Sequence, residues 1–391
     1  MHAAAVWCAL GSALLGHALL WTGTVNRLHG LRGPRLLIKL LTVLCVAAFA
    51  AAPLAVAAWF WQAGSLGANP FAAAGWVRPY VSFCAVLGVV GLAVKLWVEA
   101  SRCDRRILLQ WTNEPRDVAK ALGKAPLVGA YARALGRLPG NEALSLSVDR
   151  KRLALPGLPT ELDGLTIAHL SDLHMTGRVG REYYRYAMRV VNDLRPDVIA
   201  ITGDIVENAA CVPWLAGTLG TLCAPLGVYF ILGNHDLFID SQATRAELTE
   251  AGLVDLGGRW LRAQWNGARV VMVGNELPWI GTRAALGITG PTQSGEPAFR
   301  LALCHTPDQF SWCVAAEVDL ALAGHTHGGQ VQLPIVGVVG SPSIHGTRYA
   351  CGVFRRGGTV LHVTRGLGGQ TPWRWRCPPE IALLELRGAK G

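Results

Sequence analysis

Five times between Leu165 and His327, a short apolar run ends in carboxylate, imidazole or amide side chains set among small residues. The runs are Leu165–Ala168, Val198–Ile201, Val228–Leu232, Leu301–Cys304 and Leu320–Ala323. The polar blocks behind them are Asp172-Leu-His174, Gly203-Asp204, Gly233-Asn234-His235-Asp236, His305 and Gly324-His325-Thr326-His327. Runs this short and apolar read as strands. Helical stretches separate them at Arg181–Leu194, Val212–Leu222, Ser241–Ala251 and Asp308–Ala316. Such alternation builds a sheet whose strand ends gather at one edge, so the ligand-type side chains are expected to converge there. Oxygen and nitrogen ligands in that number suit two adjacent divalent cations.

The spacing within each block fits that chemistry. Asp172 and His174 stand two apart, as do His325 and His327, so on extended backbone each pair points to one side. Gly203 leaves room beside Asp204, whose two oxygens can bridge a pair of ions. Asn234 offers a neutral amide oxygen, which moderates the negative charge. Any one block alone is a weak signal, and Asn-His-Asp by itself reads equally well as a turn.

The remainder of the catalytic half turns β-rich after His327, with Val331–Leu333, Cys351–Phe354, Thr359–Val363 and Ile381–Leu386. Leu144–Val148 and Arg152–Leu155 read as a hairpin around Asp149-Arg150-Lys151. Two packed sheets with helices outside are expected.

Taken together the blocks resemble the calcineurin-like metallophosphoesterase family, whose pattern is D-x-H, G-D, G-N-H-[DE], H and G-H-x-H. The string from Gly324 to Gln330, with Arg365-Gly-Leu-Gly and Cys377-Pro-Pro-Glu380, is similar to its bacterial YkuE/YaeI-type branch. The resemblance spans about residues 140–391. It implies an α/β (α+β) four-layer sandwich of two mixed β-sheets flanked by helices, and two divalent ions drawn from Mn, Fe or Zn. By the same resemblance Asp172, His174 and His327 hold one ion, Asn234, His305 and His325 the other, and Asp204 bridges them. His235 then contacts phosphate and protonates the leaving oxygen, and Asp236 orients it. The implied reaction is hydrolysis of a phosphate ester or diphosphate by metal-activated water. Members similar to this branch include pyrophosphatases of UDP-2,3-diacylglucosamine in lipid A synthesis. A general or nucleotide phosphodiesterase, and a non-catalytic membrane binding module of the same fold, stay open beside it.

Further residues have two readings each. His169 either supports a ligand or is a core histidine. Arg348, Arg365, Arg374 and Arg376 either bind a diphosphate or are surface residues, and His345 either lines the pocket or does not. Gly328, Gly329 and Gln330 form either a phosphate nest or a tight turn.

The family pattern does not reach the N-terminal quarter. Ala3–Thr22 and Leu40–Trp61 are uncharged for about the 20 residues that cross a bilayer, and Tyr80–Val98 is interrupted only by Lys95. Three transmembrane helices are expected, at about 3–22, 40–61 and 80–98, within a membrane module of residues 1–100. Beyond it come a basic linker over 101–140 and the catalytic domain over 141–391. In 113–140, Arg116, Lys120, Lys124, Arg133 and Arg137 fit a helix with Val118, Leu122, Leu127 and Val128 on its apolar face. That helix is either solvated or lies on anionic headgroups.

Charge obeys the same division. Residues 1–158 hold 17 Lys+Arg against 6 Asp+Glu, and the remainder 19 against 20. The near-neutral catalytic half has no basic stripe for nucleic acid, and no such partner is expected. Ten cysteines without CxxC spacing read as free thiols of a reducing compartment. Arg27, Arg32, Arg35 and Lys39 lie between spans one and two, only Arg78 between two and three, and Arg102, Arg105 and Arg106 after span three. The positive-inside rule then makes this a multi-pass protein of the bacterial inner membrane with a cytoplasmic catalytic domain. A reporter fused after Gly391 that is active only in the cytoplasm should be active, and a periplasmic readout would reverse this topology.

Overall fold

The computed structural model describes residues 3–64, 69–282 and 298–389. They divide into two compact units, Met1–Ser101 with Pro334–Arg348, and Arg102–Leu333 with Tyr349–Gly391.

The first unit contains three helices, α1 (Ala3–His29), α2 (Arg35–Gln62) and α3 (Val77–Ala100). All three are long and apolar enough to cross a membrane. Each runs past its apolar core, because a helix keeps satisfying its own backbone groups through the interface. Small residues bring α1 and α3 together: Ser12 Oγ donates to the Ala85 carbonyl at 2.7 Å, and a Cβ on Gly16 would strike the Cys84 carbonyl. Close backbone approach through small residues is a common way for helices to associate without water. The contacts pair Ser12 with Gly88 and then Leu19 with Gly91, so α1 and α3 run parallel, as the first and third of three consecutive spans must.

The surprise in this unit is the segment 334–348, which comes from the far half of the chain. The Asn26 side chain donates to the Val339 carbonyl at 2.9 Å and accepts from Ser341 N at 3.0 Å. Lys95 Nζ donates to the Val338 carbonyl and to Thr347 Oγ1, the latter at 2.8 Å. Glu99 accepts from Val338 N at 3.2 Å.

The second unit has four layers. One sheet holds β1 (Leu108–Asp117), β2 (Ser145–Leu155), β3 (Thr166–Leu170), β4 (Val198–Thr202), β5 (Val228–Ile231), β6 (Val254–Asp255) and β13 (Glu380–Gly388), in the order β1-β2-β13-β3-β4-β5-β6. The other holds β7 (Trp260–Trp265), β8 (Ala268–Asn275), β9 (Phe299–Cys304), β10 (Leu320–Ala323), β11 (Gly352–Arg356) and β12 (Thr359–Val363), in the order β11-β12-β10-β9-β8-β7. Both sheets are mixed: β3, β4 and β5 are parallel, as are β8, β9, β10 and β12, with antiparallel pairs at β1–β2, β13–β3, β7–β8 and β11–β12.

Alternation along the strands explains the layers. Val198 and Ala200 of β4, Tyr229 and Ile231 of β5, and Leu301, Leu303, Leu320 and Leu322 opposite them share one buried core between the sheets. Ile199 and Ile201 face away, onto α6 (Arg181–Asp193) and its neighbours. Ala302 and Ala321 face away from the other sheet onto α7 (Phe310–Ala315). Strands buried on both faces are near-continuous apolar runs, which is why they were conspicuous in the sequence.

Four local expectations need correcting. Residues 149–151 are not a turn, since Ser145–Leu155 is one strand. Asp149 and Lys151 are buried in it, held by ion pairs: Lys151 Nζ to Glu380 Oε1 at 2.6 Å, and Arg365 Nη2 to Asp149 Oδ2 at 3.1 Å. Residues 108–117, placed in the linker, form the edge strand of the first sheet. The rest of that linker holds α4 (Val118–Ala121) and α5 (Ala130–Gly136) in place of one helix, and Val118, Leu122 and Leu127 pack into the catalytic core rather than on a bilayer. Finally, Val212–Leu222 forms two 3-10 turns, with Pro213 inside the first, instead of an α-helix.

The Lys151 cluster gives a direct stability test. Burial pushes the Glu380 carboxyl up, but Arg365 and then Lys151 hold it well below the usual carboxylate range. Removing one partner of such a buried pair strands its charge and costs about 3–5 kcal/mol. Lys151→Met should lose that much in equilibrium unfolding, whereas an exposed control, Arg150→Met, should lose almost nothing.

Candidate metal centre

All seven expected ligands lie at the C-terminal ends of parallel strands: Asp172 and His174 after β3, Asp204 after β4, Asn234 after β5, His305 after β9, and His325 and His327 after β10. The structure brings them together in two groups. Asp172, His174, Asp204 and His327 offer ligand atoms within 4.8 Å of one another, as do Asp204, His305 and His325. Asn234 joins the second group, its Oδ1 lying 3.0 Å from His305 Nε2. Asp204 belongs to both.

The backbone is bent to achieve this. Asp172, His174, Asp204, His325 and His327 all adopt left-handed φ, between 45° and 70°. Each such non-glycine residue is strained, and strain of this kind gathers at functional sites. Gly203 has no such choice: any Cβ there would run into the backbone at Gly233 and the His305 ring.

The donor chemistry requires positive charge between these groups. His305 Nδ1 lies 2.7 Å from the Thr202 carbonyl, so it must carry the hydrogen. Its Nε2 then presents a lone pair to Asn234 Oδ1 at 3.0 Å and Asp204 Oδ2 at 3.3 Å, both acceptors. His174 repeats the arrangement, with Nδ1 held by Glu207 Oε2 at 3.0 Å and Nε2 facing His327 Nε2 at 3.0 Å. Asp204 Oδ2 is buried with no hydrogen-bond donor among the described residues. Without a cation the site substitutes protons: burial disfavours charge on His305, yet Asp204 raises its pKa to about 9. These residues fit divalent metal ions, through imidazole nitrogen and carboxylate oxygen.

Around the ligands lies a supporting shell. Lys151 donates to His362 Nε2 at 3.0 Å, which leaves His362 Nδ1 as donor to His169 Nδ1 at 2.8 Å, and His169 Nε2 as donor to Thr202 Oγ1 at 2.9 Å. Burial holds the pKa of both imidazoles low, that of His169 at about 3. His169 therefore acts on the site through Thr202, whose carbonyl fixes the His305 tautomer.

His235 stands beside the first group, its ring 4.9 Å from that of His174. The carboxylate that holds it is not Asp236. Asp236 is buried, and its oxygens accept from Ile205 N, Val206 N and Gly233 N at 2.8–2.9 Å, clamping the loops after β4 and β5. Glu207 is the residue in contact, with Oε2 2.8 Å from His235 Nδ1 and Oε1 accepting from Gln370 at 3.1 Å. Burial pushes the Glu207 carboxyl up, but hydrogen bonds from His174 and His235 bring it down to about 2. Burial opposes protonation of His235, while Asp204 and Glu207 raise its pKa. An acidic residue three past Asp204 was the sequence signal for this partner. Trp279, its ring 4.7 Å from that of His325, is a second wall residue with no sequence signal.

The remaining candidates divide. Arg365 is spent on Asp149 and the Pro378 carbonyl, and buried Arg374 on the carbonyls of Arg365, Gly368 and His327. Arg376 is exposed, and Arg348 and His345 belong to the membrane unit. Gly329 N and Gln330 N bond back to Thr326 and His327, which makes the glycine string a tight turn.

Buried histidines and carboxylates at converging strand ends in a four-layer sandwich define a metal-dependent phosphoesterase. The chain belongs to the calcineurin-like phosphoesterase family, whose profile matches residues 165–329. Among its relatives, metallophosphoesterase YkuE of Bacillus subtilis is 32% identical over 240 residues, covering 59% of this chain and 82% of YkuE. Phosphodiesterase YaeI of Escherichia coli is 31% identical over 230 residues, 56% of this chain and 81% of YaeI. UDP-2,3-diacylglucosamine pyrophosphatase LpxG of Chlamydia trachomatis is 25% identical over 296 residues, 61% of this chain and 88% of LpxG.

Two substitutions separate the roles. Asp204→Asn should lose both bound metal and turnover, read by elemental analysis and steady-state rates. His235→Ala should keep its metal and lose about 10²–10⁴-fold in kcat. Because the Glu207 charge raises the His235 pKa, Glu207→Gln should lower it. The alkaline limb of the kcat/KM profile, where protonated His235 is lost, should then move to lower pH.

Proposed function

We propose that this chain is a membrane-anchored phosphohydrolase with two metal ions, which cleaves a phosphate ester or diphosphate on a lipid-linked substrate. The observation that carries the two-ion reading is Asp204, shared by both ligand groups with Oδ2 buried and undonated between them. Asp172, His174 and His327 would hold one ion, and Asn234, His305 and His325 the other. Metal ions bound there would lower the pKa of a water and neutralise charge on phosphate. The chain's own part is positional and protonic: Glu207 keeps the proton on His235 Nδ1, and His235 Nε2 gives a proton to the leaving oxygen. No protein nucleophile is required.

Support for a lipid-linked substrate comes from the three apolar helices and from the likeness to LpxG, named for a lipid-linked diphosphate. An enzyme tied to the bilayer gains effective concentration towards interfacial substrates and nothing towards a freely diffusing nucleotide. We place the catalytic unit on the cytoplasmic side of a bacterial inner membrane, on the distribution of basic residues between the spans. The test compares kcat/KM of the full chain on UDP-2,3-diacylglucosamine in mixed micelles with that on a water-soluble phosphodiester, in defined Mn²⁺, Zn²⁺ or Fe²⁺. A higher value for the lipid is expected. Preference for the soluble ester would remove the lipid reading and leave a general phosphodiesterase.

A further inference from the structure

Arg348 and His345, which the metal centre leaves unused, lie in the membrane unit with Arg27 and Lys95, around a cavity of about 310 Å³. It lies where the last turns of α1 and α3 meet the segment 334–348. Among the described residues, three fixed cations and no carboxylate line it. The Arg348 guanidinium stands 5.8 Å over the Trp97 ring, and Arg27 Nη1 donates to the Gly23 carbonyl at 2.9 Å. Lys95 is buried, held by Val338, Thr347 and, at 3.8 Å, Glu99. The opposite wall is apolar, with Leu19, Val94 and Val98.

We propose that this cavity binds an anionic phospholipid by its phosphate, as a site separate from the metal centre. Charged residues within a span are costly and mark ligand sites, and arginine forks suit phosphate oxygens. The volume stands at the small end of ligand pockets. It accommodates a phosphate and the adjoining glycerol, and leaves the acyl chains on the exposed faces of Val90 and Val94. The apolar wall selects a lipid over free phosphate, which has nothing to place against Leu19 and Val98. The proposal does not depend on the phosphohydrolase reading, since no catalytic residue enters it.

The test is native mass spectrometry of the full chain in detergent, titrated with phosphatidylglycerol, phosphatidylcholine or inorganic phosphate. One phosphatidylglycerol is expected to bind saturably, and more tightly than phosphatidylcholine. A charge-assisted bond to phosphate is worth about tenfold in affinity, so Arg27→Gln with Arg348→Gln should weaken binding about 100-fold. The matching Lys pair should recover part of it, with melting temperature and metal content unchanged throughout. Should the Gln pair fail to fold, Val94→Trp reads the same site by filling its apolar side, and should also weaken binding. Equal binding of the two lipids, displacement by millimolar inorganic phosphate, or full binding in the Gln pair or in Val94→Trp would overturn the proposal.

Discussion

Lone pairs pointed at one another in a place that excludes water are the constraint on which this structure turns. His305 Nε2 faces Asp204 Oδ2 and Asn234 Oδ1 within about hydrogen-bond distance, and unless His305 takes up a second proton no hydrogen lies between them. Such a set repels itself unless a cation sits among its members, so the polypeptide around it has to be rigid. Parallel strands supply the rigidity, and the left-handed ligand residues are its local cost. The Asp236 clamp and the Lys151–His362–His169–Thr202 chain are further parts of the same scaffold. They stop the ligand loops from relaxing into a geometry where each acceptor would find its own donor.

The residues that gather at the candidate metal centre were conspicuous in the sequence because the strands that carry them are buried on both faces. A strand such as Val198–Thr202 can contain only apolar residues until its end, so the first carboxylate after it is conspicuous. The three apolar helices were legible for a related reason, since length and absence of charge suffice to recognise them. Both signals are local.

What could not be read is non-local. The stretch Asp149-Arg150-Lys151 has the composition of a turn, and it can be a strand interior because Glu380, Arg365 and His362, more than 200 residues away, partner its buried charges. Edge strand β1 is polar and mostly exposed, so it lacks the signature of its buried neighbours. The exchange of Asp236 for Glu207 has the same origin. The family resemblance implied Asp236, but a residue inside a tight turn points at backbone, whereas Glu207, on a loop from another strand, reaches the ring. Arg365 and Arg374 had two readings, phosphate binder or surface residue, and are instead buried struts, Arg365 on Asp149 and the Pro378 carbonyl and Arg374 on three carbonyls at once.

The segment 334–348 has a consequence for how the protein is made. Lys95 finds its Val338 partner 243 residues later in the chain. At about 5–20 residues per second, the ribosome delivers that partner on the order of tens of seconds after α3 has emerged. During that interval Lys95 has Glu99 of its own helix beside it, but Val338, Thr347 and the Val339 and Ser341 backbone that meets Asn26 are not yet made. The membrane unit is thus finished only when most of the catalytic unit exists. It is not a cassette that could be exchanged at the N-terminus, and a chain truncated before residue 348 would leave both units incomplete.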